Sequence, residues 1–112
     1  MRLNRSQVLD DLESHVLKAV DKALLVLGES GKRSIFQYLE RRFGVKHDEI
    51  PKRLVDFHEY LSVLLGEGAK LLEKNIAREL CHQLQIDFTP HENSTITGYV
   101  NNAKETIKTG TK

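Results

Sequence analysis

Apolar residues recur along most of this chain at steps of three and four, the spacing that places side chains on one face of an α-helix. The first stripe is Val8, Leu9, Leu12, Val16, Val20 and Leu24. Ser6 precedes it as a suitable N-cap, and Leu25 and Leu27 thicken it before Gly28 supplies a stop. Asp10, Asp11 and Glu13 lie early and Lys18 and Lys22 late, as the helix dipole favours. A Gly28-Glu29-Ser30-Gly31 turn then leads to a second helix, with Ile35, Phe36, Leu39 and Phe43 on one face and Gly44 closing it. Val45 and Ile50 read as anchors that tuck beneath the following loop.

Pro51 suits the first turn of a new helix but cannot continue an old one. The third helix is therefore expected from about Pro51 to Leu65, with Leu54, Phe57, Leu61, Leu64 and Leu65 inward. Gly66-Glu67-Gly68 permits a tight helix–helix turn. A fourth helix from about Ala69 to Gln85 carries Ala69, Leu72, Ile76, Leu80 and Leu84, widened by Ala77 and Cys81. So broad an apolar face predicts the most buried helix of the set. Asp87 to Thr95 reads as a loop. After it Ile96, Tyr99, Val100, Ala103 and Ile107 resume helical spacing in a segment of weak helix formers, and Lys108 to Lys112 read as a disordered end.

The pattern contains no strand signature and no internal repeat. It predicts an all-α fold: a compact bundle of four core helices over residues 1–86, plus a loop and a weaker fifth helix over 87–112. A helix so marginal alone must dock on the bundle, dock on a partner, or fray. In the second case Ile96, Tyr99, Val100 and Ile107 form the interface, and helix exchange within a homodimer is one version of it.

Composition narrows the class. The 112 residues are 29% charged and 39% hydrophobic, which suits one globular domain. Tryptophan is absent and aromatics are 6%, so the core rests on aliphatic residues. Net charge is +1, which points to neither nucleic acid nor membrane. The single cysteine, Cys81, permits no internal disulfide. Met1 to Ser6 is polar and lacks the apolar segment of a secretory signal, and no apolar run approaches a membrane span. A cytoplasmic location is the expectation.

Candidate chemistry is sparse. Gly28-Glu29-Ser30-Gly31-Lys32-Arg33-Ser34 imitates a phosphate-binding loop, whose glycines let backbone amides cradle phosphate. It fails where that motif needs its first glycine, which is Val26, and where it needs a hydroxyl after the lysine, which is Arg33. It also follows a helix rather than a strand. Ser30 reads instead as a helix cap, and Gly31, Lys32 and Arg33 as an anion-holding helix start. Basic residues gather from Lys32 to Arg53. If these share a face, Lys32, Arg33, Arg41, Arg42 and Lys46 are the candidate contacts for nucleic acid or an acidic protein; otherwise they are the solvated side of the second helix and its loop. No helix rich in base-reading side chains stands out, so sequence-specific readout is not expected. The histidines, His15, His47, His58, His82 and His91, form no metal-ligand spacing with each other or with Cys81. They read as unconnected surface or edge residues, and Cys81 as a buried structural thiol. No catalytic, cofactor or metal site is expected.

Leu-Gly-Glu-Ser-Gly at 27–31, Tyr38-Leu39-Glu40, Phe43-Gly44-Val45, Ile50-Pro51, Phe57 and Gly66-Glu67-Gly68-Ala69-Lys70 lie within residues 27–84. That span resembles the fifth Nitrosopumilus output-domain family, small helical domains of ammonia-oxidising archaea. The resemblance implies a signalling-output role in an archaeon and carries no assigned chemistry. Together these readings predict a non-enzymatic protein-interaction domain whose partner is another protein or a second copy. The alternative is a nucleic-acid-binding accessory protein using the Lys32–Arg53 cluster.

Overall fold

A computed structural model describes residues 11–90 and 94–109. Among them there are five α-helices: α1 (Leu12–Leu24), α2 (Gly28–Phe43), α3 (Leu54–Leu65), α4 (Gly68–Leu84) and α5 (Ile96–Thr109). Turns of 3-10 helix at Leu25–Leu27 and His47–Lys52 join the first three. The expected helix start at Ser6, with Val8 and Leu9, lies outside the described residues. The described chain is an all-α bundle, as the spacing predicts.

α1 and α4 form its spine. His15 reaches Gln83 at 3.2 Å and Lys22 reaches Glu79 at 3.5 Å, so the two helices run antiparallel. Leu12, Val16, Ala19, Val20, Ala23 and Leu24 are buried on α1. On α4, Ala69, Leu72, Ile76, Ala77, Leu80, Cys81 and Leu84 are buried, together with Glu73. The broad stripe does mark the most buried helix. α3 folds back on α4 through Gly66, whose φ of +57° is reached at little cost only without a Cβ. α5 lies across α3 and α4. Burial of these aliphatic faces supplies the main stabilisation, roughly 1.5–3 kcal/mol per buried Leu, Ile or Val before chain entropy is set against it.

Several boundaries differ from the periodic reading. Leu25, Val26 and Leu27 do not thicken the α1 stripe. The chain tightens to 3-10 geometry at Leu25 and turns these side chains outward. The Gly28–Gly31 segment is the first turn of α2 and not a connecting loop. Ser30 therefore lies inside the helix, and Leu27 holds the N-cap position with no side-chain cap. α3 begins at Leu54, because Arg53 adopts φ −131°, ψ 50° and breaks the helix after Pro51. The Arg53 guanidinium donates to Asp56 Oδ2 at 2.6 and 2.9 Å and to the carbonyls of Phe43 and Gly44 at 3.4 and 3.3 Å. It fastens the end of α2 to the start of α3. Leu64, expected inward, is exposed. Lys108 and Thr109 continue α5 and are not a loose end, whereas 110–112 lie outside the described residues. Val45 and Ile50 are fully buried loop anchors, as expected.

Candidate functional site

The four residues proposed as a partner-facing surface on the last helix serve the chain's own core. Ile96, Tyr99, Val100 and Ile107 are all buried, the least so being Val100 at 9% exposed. α5 docks in cis, because its narrow apolar stripe fits the groove between α3 and α4. That leaves no apolar face on it for another molecule.

What holds its start in place is a residue the periodic reading passed over. Glu73 lies in the middle of the α4 stripe and is 1% exposed. Its Oε1 accepts the backbone N–H of Ile96 at 2.7 Å, filling an orphan donor at the N-terminus of α5. Its Oε2 accepts from His58 Nδ1 on α3 at 2.6 Å. One buried carboxylate thus ties α3, α4 and α5 together, and the positive end of the α5 dipole favours an anion there. Both carboxylate oxygens are engaged, one by each neighbouring helix. The signal was present in the sequence: Glu73 is the acidic residue between Leu72 and Ile76 in an otherwise apolar face.

The other histidines are less isolated than their spacing suggests. His47 Nε2 meets Asp21 Oδ1 at 2.8 Å, and its ring packs edge-on against Phe36 with centroids 4.6 Å apart. His15 pairs with Gln83. His82 is exposed, and His91 lies outside the described residues. Among the described residues no group of three or more His, Cys, Asp and Glu side chains is placed to hold a metal ion.

Cys81 is buried and unbridged, beside a depression of about 290 Å³ that Asp87, Phe88, Tyr99 and Asn102 also line. Burial, and then the charge of Asp87, push its thiol pKa up. A nucleophilic thiol needs the opposite environment, since the thiolate is the reactive form. The Tyr60 hydroxyl on α3 is buried with no hydrogen-bond partner. Burial and then Tyr38 raise its pKa, while Arg42 opposes them.

The basic cluster divides. Arg33, Arg41 and Arg42 are exposed on α2, whereas Lys32 is half-buried on its inward side. Gly31 is also half-buried, so the anion-holding group expected at Gly31, Lys32 and Arg33 does not assemble as one open site. Lys46 is exposed just beyond α2, its own N–H bonded to Glu49 Oε1 at 3.0 Å. Arg53 is occupied in the staple between α2 and α3.

The least expected surface is apolar. Leu25, Val26 and Leu27 follow the end of α1, Val63 and Leu64 lie in the last turn of α3, and Leu71 lies in the first turn of α4. The antiparallel packing of α1 on α4 and the tight α3–α4 turn carry all six to the same end of the bundle. All six are exposed, Val63 by 78% and Val26 by 72%. Scattered exposed hydrophobics are ordinary on a monomer, and these six differ in lying toward one end of the bundle.

No protein-family model, curated protein or solved structure matches this chain. Among the described residues no helix is long and apolar enough to cross a membrane.

Proposed function

We propose that this chain is a non-enzymatic interaction domain that binds a protein through the apolar end of its bundle. The observation that carries this reading is the gathering of Leu25, Val26, Leu27, Val63, Leu64 and Leu71 there, outside the core. Desolvation of such side chains is the general driving force of protein association. The resemblance over residues 27–84 supports placing the domain in archaeal signalling output.

The test is a paired variant, Val63→Glu with Leu71→Glu. Both positions are exposed, so stability should stay within about 1 kcal/mol of the parent. Purified parent and variant are compared by light scattering, and each is used as bait in native-organism extract with mass spectrometry. The expected result is an assembly or captured protein that the parent has and the variant lacks. Equal capture by both, or a monomeric parent that captures nothing, overturns the proposal.

A further inference from the structure

α2 is the most lightly packed helix, with only Ile35 and Leu39 fully buried among its sixteen residues. At about 3.6 residues per turn its exposed positions fall on one side. Arg33, Gln37 and Arg41 form a line at i, i+4 and i+8. Tyr38 and Arg42 lie beside that line, and Ser30 and Ser34 fill the space between. All seven are exposed, Tyr38 by 52%. No carboxylate lies within this half of the circumference. Glu29 and Glu40 fall together just past its Arg33 edge, and Lys46 follows beyond the other end of the helix. The sequence shows a run of mixed charges here; on the helix both carboxylates gather at the Arg33 edge, Glu29 four residues before it, and leave Arg41, Tyr38 and Arg42 clear of acid on α2.

We propose that this face of α2 binds single-stranded nucleic acid without sequence preference, the arginines following the phosphates and Tyr38 stacking on a base. The proposal concerns a different surface from the apolar end and does not rest on it. Arg33 to Arg41 gives a track about 12 Å long at 1.5 Å per residue. Arginine pairs with phosphate in a planar, bidentate fashion, and an exposed tyrosine between arginines is the stacking platform that unpaired bases use. A duplex groove would flank the helix with phosphates on both sides and press Glu29 and Glu40 against one strand. A single strand can lie on the acid-free half alone. Charge and ring together therefore select a single strand over a duplex.

The experiment is fluorescence anisotropy of the full chain with labelled twelve-nucleotide oligothymidylate and oligouridylate, at several salt concentrations from about 25 to about 200 mM. Binding is expected in the micromolar range at low salt, weakening with a log–log slope near −2 for three neutralised phosphates at about 0.7 each. Arg41→Ala should reduce the slope by about 0.7. Tyr38→Ala should weaken binding on the order of fivefold or more with the slope unchanged, while Tyr38→Phe retains it. Thermal unfolding of each variant verifies the fold. Binding to either oligomer supports the proposal, and the tighter one identifies RNA or DNA as the source. Three results overturn it: no binding at low salt, tighter binding to a duplex of equal length, or equal competition by polyglutamate with no loss in Tyr38→Ala.

Discussion

Gly44 ends α2 at φ +65°, ψ 24°, with its N–H on the Glu40 carbonyl at 2.9 Å and Val45 folded into the core behind it. Nothing lies within 4 Å of where a Cβ would sit, so any cost of a side chain there is purely conformational. Gly44→Ala should lose about 1–2 kcal/mol, the penalty of left-handed backbone for an L-residue, measured by urea denaturation. An unchanged midpoint would show that the turn adopts another conformation. This residue was legible in advance, because glycine after a helical stripe has one common meaning. Glu73 was legible in principle, as an acid inside an apolar face. Its partner His58 was not, because their meeting depends on the register of the α3–α4 hairpin. The outward turn of Leu25 to Leu27 was hidden for a related reason. Their spacing continues the α1 stripe, and only the shift from α to 3-10 geometry takes them off it.

At the scale of elements, most of each stripe in the five described helices could be read directly, with Leu25, Leu27 and Leu64 misplaced near helix ends, while the joints between the helices could not be read. Pro51 signals a helix start, yet Arg53 delays it by bonding to carbonyls at the end of α2. The docking of α5 is the joint with the clearest consequence. Glu73→Ala leaves the Ile96 N–H buried without an acceptor and should cost about 1–3 kcal/mol. Glu73→Gln should cost less, because its amide oxygen can still accept that bond. Hydrogen exchange is the check: amides of α5 should lose protection in Glu73→Ala before those of α1 and α4 do. Uniform loss across all helices would mean that α5 does not open separately. The candidate faces were legible as compositions only. A count of Lys32 to Arg53 cannot separate the exposed arginines of α2 from the inward Lys32 and the occupied Arg53.

For the molecule as a whole, pH acts through two buried groups held protonated. An unfolded cysteine ionises near pH 8.5 and an unfolded tyrosine near 10, while Cys81 and Tyr60 in the fold ionise higher. Above those values the unfolded chain has released protons that the native chain retains. Stability therefore falls as pH rises. The stability that these two groups contribute is fully present below about pH 8.5 and declines through the alkaline range. Thermal unfolding of the parent and Cys81→Ala from pH 7 to about 10 tests this, and the gap between them should narrow above about pH 8.5. A constant gap would mean that the thiol ionises alike in both states.

The grip of Glu73 on the last helix also decides how short this polypeptide can be. A truncation after Gln85 would not yield a tidy four-helix miniature. It would uncover α4 at Cys81, which Tyr99 and Ala103 adjoin, and leave the Glu73 carboxyl group among greasy neighbours with only an imidazole for company. Such a fragment should clump or melt, so the C-terminal segment is a keystone of this bundle and not an appendage.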